Sequence, residues 1–166
     1  ARLGHTYEDN SFMTLDKLVS RFSLTRLHRA PARYDEAHLV HWQREALLHL
    51  SAGEVGDWMG DKVGALVPAD QREAFVVAVR ANVTFPADAL HWAQIVFSDT
   101  LTISHPAHEA ITAAGEEFFD AARRALEKHG ADFKAMSEML RHTLSVSGKS
   151  LFQPLRAALT GELDGP

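Results

Sequence analysis

The sequence contains no cysteine, which excludes disulfide bonds, thiolate zinc sites and a cysteine nucleophile. It also lacks an apolar run of about 18 residues and the charged-then-apolar start of a signal peptide. We therefore expect no membrane partner and a cytoplasmic location, with which a cysteine-free chain is compatible. Because the first residue is Ala1 and not methionine, we expect the sequence to be part of a longer protein.

Strand signals are almost as scarce as cysteine. The β-branched run at residues 100–104 is too short to build a sheet and has no candidate strand to pair with. The rest of the chain shows helical apolar periodicity, no internal repeat, and residue types that begin helices. The predicted N-caps are Thr14, Asp35, Ser51 and Asp132, and prolines 68 and 86 are predicted to start two further helices. The predicted fold class is all-α, a compact cage of short helices.

Within this cage the apolar spacing predicts which residues face inward. One helix is expected from Ser51 through about Leu66, and the helix that follows Asp35 is expected to bury Leu39. Segments 1–34, 35–97 and 98–166 are predicted as a connector region followed by two small helical subdomains.

The formal net charge of -5 argues against a whole-surface attraction for nucleic acid, and we expect no DNA partner. The charge is unevenly distributed, however. Between residues 17 and 33 there are five basic residues and no acidic one: Lys17, Arg21, Arg26, Arg29 and Arg33. Such a strip suits a nucleic-acid backbone that must be positioned and then released, and the alternative is a solvated basic loop.

Two motifs suggest chemistry without supporting it. Residues 147–150 (SGKS) lack the first glycine of a phosphate-binding loop and follow a predicted helix instead of a strand. His105, His108 and Glu109 have a spacing that suits a metal, but no further ligands are evident. The sequence therefore predicts no catalytic residue and no metal site.

The most informative stretch is residues 148–161, which read GKSLFQPLRAALTG. Leu151, Leu155 and Leu159 recur every four residues and predict one apolar stripe on a short helix. Pro154 is expected in the first helical turn, and Gly161 is expected to end the helix. Arg156 then projects from a different face.

This stretch resembles the last conserved block of bacterial-type glutamyl-tRNA synthetases, GK-x-LF-x-PLR-x-ALTG followed by GP. Further similarities are spread along the chain, at residues 1–5 (ARLGH), 22–24 (FSL), 30–35 (APARYD), 38–48 around Trp42, and 80–92 (RANVTFPADALHW). His5 stands where the family usually has tryptophan, and Gln43 where asparagine is common.

The resemblance implies a class I glutamate–tRNA ligase that activates glutamate with ATP and magnesium and transfers it to tRNA. Neither catalytic signature of that family, the HIGH-type sequence or the KMSKS-type loop, occurs in this chain. The resemblance therefore implies a C-terminal anticodon-binding fragment that is inactive alone and holds no cofactor. Its expected partner is tRNA, most readily that for glutamate, and it is expected to be a monomer.

Matching the motif position by position implies a set of tRNA-binding residues. Arg156 aligns with the family arginine that contacts an anticodon base, and neighbouring contact positions fall on Gln153, Gly165 and Pro166. The arginine that often reads the third anticodon base aligns with Asn82, and Arg80 is close by in the sequence. Arg29 and Arg33, together with Arg21 and Arg26, are expected to hold the tRNA backbone.

Two alternatives remain open at this point. Asn82 in place of arginine is compatible with a non-discriminating or duplicated synthetase that acts on a glutamine-type tRNA. The acidic net charge is compatible with a helical protein-interaction module that has lost RNA binding.

Overall fold

The computed structural model of the protein describes residues 4–28 and 35–164. Over these residues it is all-helical, without a β-strand, as predicted. The α-helices are α1 (Leu15–Ser20), α2 (Glu36–His49), α3 (Ala52–Met59), α4 (Asp61–Leu66), α5 (Arg72–Val79), α6 (Pro86–Phe97), α7 (His105–His129), α8 (Phe133–Leu144) and α9 (Lys149–Thr160). A 3₁₀ turn spans Leu24–Arg26.

All four predicted side-chain caps are confirmed. Thr14, Asp35, Ser51 and Asp132 each accept a hydrogen bond from a backbone N–H in the first turn of the helix that follows. Each cap satisfies donors that have no partner within the helix. At these four helices, residues next to the helix start determine where the helix begins.

The helices pack around two hydrophobic clusters. The first is formed by α2 to α6 and contains Leu47, Val55, Met59, Val63, Val67, Phe75, Val76, Val79, Val83, Ala89, Trp92 and Ala93. The second is formed by α7, α8 and α9 and contains Phe118, Ala121, Ala125, Met136, Leu140, Leu151 and Leu155. These clusters fall inside segments 35–97 and 98–166, although the boundaries of those segments stay a prediction.

Two helix predictions in the first cluster are wrong. The single helix expected from Ser51 to Leu66 is broken at Gly60, whose φ of 84° and ψ of 173° are not helical. A glycine adopts this conformation without the steric cost that a Cβ would bring, so the chain turns there and starts α4. The next helix begins at Arg72 and not at Pro68, because Pro68 only opens the turn before it.

The helix α9 starts earlier than the sequence predicts. The helix begins at Lys149, so Pro154 lies in its interior and not in its first turn. Pro154 is buried, and its missing N–H leaves one helical hydrogen bond unmade. The predicted leucine stripe also stops early, since Leu151 and Leu155 are buried whereas Leu159 is 65% exposed.

Three other apolar residues lie on the surface although their spacing in the sequence fits the inner face of a helix. The first helix α1 buries none of its residues, and its Leu15 and Val19 are 74% and 67% exposed. Leu39 of α2, predicted to face inward, is 55% exposed. Apolar spacing identifies a helix face but does not say whether anything packs against it.

The connector between the clusters, residues 98–104, runs along the end of α9. It has no strand pairing, in agreement with the sequence prediction for residues 100–104. The N–H of Ser104 donates a hydrogen bond of 2.9 Å to the carbonyl oxygen of Gly161. The end of the second cluster is thereby fastened to its beginning.

The long helix α7 bends at Gly115, whose φ of 75° and ψ of 173° are not helical. Across residues 4–28 and 35–164, no helix is both long and apolar enough to cross a membrane.

The capping box at the start of α3 predicts a specific pH dependence of stability. The Ser51 hydroxyl and N–H donate to the Glu54 carboxylate at 2.6 and 2.8 Å, which lowers the pKa of Glu54. Because the folded-state pKa lies below the unfolded one, this stabilisation is present above the unfolded pKa and is lost as pH falls through the folded pKa.

A Glu54→Gln variant should therefore show a shallower loss of thermal stability than the wild-type chain as pH is lowered through the glutamate titration range, followed by circular dichroism. Glu73→Gln, in the first turn of α5, removes an exposed glutamate that belongs to no capping box and serves as the control. Equal acid profiles for wild type and Glu54→Gln would contradict the assignment.

Candidate functional site

Arg156, the central residue of the sequence-predicted site, is half-buried near the end of α9. Its Nη1 donates a hydrogen bond of 3.3 Å to the carbonyl oxygen of Leu163 in the turn after the helix. A guanidinium has five N–H groups in a planar fork, and within residues 4–28 and 35–164 the other donors of Arg156 meet no acceptor. Over that part of the chain they can bind a ligand.

Gln153 lies three positions before Arg156 on the same helix and is also half-buried. Residues three apart on a helix are surface neighbours, so the amide and the guanidinium occupy adjacent positions as predicted. An amide offers both donors and an acceptor, whereas a guanidinium offers donors only. Together they can match a base edge that presents both kinds of group.

The turn after α9 is held by Thr160, a residue that the sequence analysis did not single out. Its hydroxyl lies 2.8 Å from the carbonyl oxygen of Arg156 and accepts from the N–H of Glu162 at 3.2 Å. The signal that could have identified it is the threonine before the helix-ending Gly161, because a threonine at such a position can bond the carbonyl four residues back.

Asn82 and Arg80 lie in the turn between α5 and α6, where Asn82 is exposed and Arg80 half-buried. The backbone N–H of Asn82 donates to the carbonyl oxygen of Val79 at 2.8 Å, which continues the end of α5. The Asn82 side chain is thus presented to solvent on a fixed backbone.

This turn is fixed by Thr84, which is buried and whose carbonyl oxygen, hydroxyl and N–H each make a hydrogen bond. Gln43 donates to its carbonyl oxygen, and Arg44 Nε donates to its hydroxyl at 2.6 Å. Its own N–H donates to the Asp88 carboxylate at 2.8 Å. Sequence reasoning missed this clamp because the partners on α2 are about forty positions away in the chain.

The two groups of predicted residues stand on different parts of the fold. Arg156 and Gln153 belong to the helix that closes the second cluster, whereas Arg80 and Asn82 follow the helix that lines the first. Over residues 4–28 and 35–164, no hydrogen bond or ion pair joins the two groups. The predicted residues Arg29, Arg33, Gly165 and Pro166 lie outside the described residues.

Two arginines in the described part of the basic strip are paired with carboxylates. Arg26 forms an ion pair of 2.8 Å with Glu8, and Arg21 approaches Asp9 to 3.8 Å. The carboxylates come from residues before the strip, so a scan of residues 17–33 alone could not reveal them. An open groove of about 700 Å³ runs between these two pairs.

No metal site is evident among the residues that are described. His105 Nδ1 lies 4.0 Å from Glu109 Oε1, and both side chains are largely exposed. No group of three or more histidine, aspartate or glutamate side chains converges in that part of the chain.

Comparison with known proteins identifies relatives along the whole chain. No protein-family model matches. All 166 residues align with "Glutamate--tRNA ligase 2" of Nitrosococcus oceani at 48% identity and with "Glutamate--tRNA ligase 1" of Halorhodospira halophila at 45%. The aligned region is 35% and 34% of those two proteins, so the chain spans about a third of the relatives it matches.

The fold has a counterpart of known structure. The glutamate–tRNA synthetase of Elizabethkingia anophelis superimposes with a TM-score of 0.72 at 21% sequence identity, over 99% of this chain and 34% of that protein. This likeness supports the fold alone. The sequence relatives carry the classification: the chain is homologous over its whole length to bacterial glutamate–tRNA ligases and corresponds to the C-terminal portion of those proteins.

Proposed function

We propose that this chain recognises the anticodon of a tRNA on behalf of a glutamate–tRNA ligase. The observation that carries the proposal is Arg156, half-buried near the end of α9, with one N–H bonded to Leu163 and no acceptor for its other donors among the described residues. Unstacked anticodon bases present Watson–Crick edges that such a fixed fork can bind. Gln153 on the adjacent turn would add an acceptor.

The whole protein would activate glutamate with ATP and magnesium and transfer it to tRNA in the cytoplasm. We assign the present chain no cofactor and no catalysis of its own, because neither catalytic signature of the family occurs in its sequence. Its contribution would be to position the tRNA as a monomeric unit. Gly165 and Pro166 stay in the proposed tRNA-binding set on the sequence resemblance, and Arg29 and Arg33 stay in it because they belong to the basic strip at residues 17–33.

The test is binding of the 166-residue chain to a glutamate tRNA transcript, with Arg156→Ala compared to wild type. Losing a base contact by arginine should cost about 1–3 kcal/mol of binding free energy, and it should do so selectively for the matching anticodon. Arg124→Ala is the matched control, since it removes the same charge from an exposed position on α7.

Affinities measured at low and moderate salt separate base contacts from phosphate contacts, because only the latter depend steeply on salt. Equal losses for Arg156→Ala and Arg124→Ala would show a general effect of charge and would overturn the anticodon assignment.

A different tRNA is the first alternative, and Asn82 favours it. An asparagine presents both a donor and an acceptor where the resemblance leads one to expect an arginine, so the third anticodon base would be read less strictly. Competition by a glutamine tRNA transcript measures this directly. Equal competition by both transcripts would favour a non-discriminating synthetase.

A protein-interaction module is the second alternative, favoured by the ion pairs of Arg21 and Arg26. These pairs reduce the cationic surface available to a phosphate backbone. A module of this kind would ignore tRNA even at low salt, where electrostatic binding is strongest. Well-folded wild-type chain that does not bind under those conditions would support it.

A further inference from the structure

The turn after α9 contains more hydrogen bonds than ending a helix requires. Gly161 alone ends α9, with a φ of 73° and its N–H bonded to the carbonyl oxygen of Ala157 at 2.9 Å. Thr160 nevertheless makes additional bonds on both sides of that glycine.

The Thr160 hydroxyl has one hydrogen and two lone pairs. Two carbonyl oxygens lie within reach of that hydrogen, that of Arg156 at 2.8 Å and that of Glu162 at 3.3 Å. The shorter distance makes the Arg156 carbonyl oxygen the better acceptor. The lone pairs accept the N–H of Glu162 at 3.2 Å. One hydroxyl therefore links the backbone of Arg156 to the residue that precedes Leu163.

The side chain of Arg156 closes the same ring of contacts. Its Nη1 donates to the Leu163 carbonyl oxygen, one residue beyond Glu162. The orientation of the guanidinium thus depends on where the turn holds that oxygen. All the groups involved are half-buried, which limits competition from water.

We propose that Thr160 is a positioning residue for Arg156: by fixing the turn at residues 161–163, its hydroxyl sets the direction of the guanidinium before any RNA arrives. This inference rests on the proposed anticodon function of Arg156. An arginine held in one orientation loses less side-chain freedom on binding, so more of its contact energy is realised as affinity and discrimination.

The experiment is a double-mutant cycle in the 166-residue chain. Thr160→Val removes the hydroxyl and keeps the shape, Thr160→Ser keeps the hydroxyl, and each is combined with Arg156→Ala. Binding is measured to the glutamate tRNA transcript and to the same transcript with an altered anticodon. The ratio of the two affinities is the readout, because a general loss of folding would lower both affinities together.

In the wild-type background Thr160→Val should reduce this ratio by roughly three- to tenfold, the effect of losing one or two neutral hydrogen bonds, and Thr160→Ser should restore it. In the Arg156→Ala background Thr160→Val should leave the ratio unchanged. The same reduction in both backgrounds, or no reduction in either, would overturn the positioning role.

The proposed function can fail separately from this inference. If Arg156→Ala itself does not change the ratio, Arg156 does not read the anticodon and the function proposed above is wrong. If Arg156→Ala lowers the ratio and Thr160→Val does not, Arg156 reads the anticodon without help from Thr160. Thermal melts of every variant establish that only folded chains are compared.

Discussion

Replacing Gly161 with alanine is expected to lower the free energy of unfolding by about 2–4 kcal/mol, through backbone strain and a steric clash together. Gly161 has a φ of 73°, in the left-handed region that residues with a Cβ seldom adopt. A Cβ built there would lie 2.1 Å from the carbonyl oxygen of Thr102, a backbone atom that no side-chain rotation can move. The connector would have to leave the end of α9.

Urea or thermal unfolding of the two chains measures this effect. Gly53→Ala is the control, because Gly53 is exposed in α3 and nothing lies within 4 Å of its would-be Cβ. That change should be neutral or stabilising by up to about 1 kcal/mol, since alanine is the better helix former. Destabilisation of the Gly161 variant no larger than that of the control would contradict the contact between connector and helix end.

Truncating Leu151 to alanine is expected to destabilise the chain by about 3–5 kcal/mol, because the side chain is fully buried in the second cluster and its removal leaves a cavity. Leu159→Ala removes the same atoms from the same helix two turns later. Leu159 is 65% exposed, so that change should stay within about 0.5 kcal/mol.

The pair isolates burial from helix propensity, since both variants make the same substitution in α9. Denaturant unfolding followed by circular dichroism gives the two differences directly. Similar losses for both variants would mean that α9 packs with a different face than the structure shows.

Local features of the sequence predicted most of the fold. The four capping residues and Pro86 determine where their helices begin, through hydrogen bonds or ring geometry that involve only nearby residues. These helix starts can therefore be predicted from short stretches of sequence. The helical spacing of Phe75, Val76, Val79 and Val83 indicates one inner face, and all four residues are buried.

The errors have a common physical origin in distant partners. Leu15 and Leu159 follow a helical apolar pattern, yet exposure is decided by whether another element covers them. Glu8 and Asp9 form ion pairs with arginines more than ten positions away, and Gln43 of α2 donates to Thr84 in the turn before α6. Tertiary contacts of this kind leave no periodic trace in the sequence.

The sequence predicts only part of the candidate site. The motif that contains Arg156 and Gln153 is recognisable by its resemblance to a family motif, and both residues lie on one helix, three positions apart. Thr84, which holds the turn that contains Asn82, has partners about forty positions away and could not be predicted from the sequence. Thr160, which holds the turn after α9, carries a local signal in its position before Gly161.

The bond between Ser104 and Gly161 has a consequence for the order of events during synthesis. It joins the first and the last turns of the second cluster, so it cannot form until the ribosome has released the whole of α9. The first cluster, complete by residue 97, can fold while its successor is still being translated. Closing so long a loop costs chain entropy, which favours late formation of this contact. The turn that holds Arg156 would then be among the last parts of the chain to become ordered.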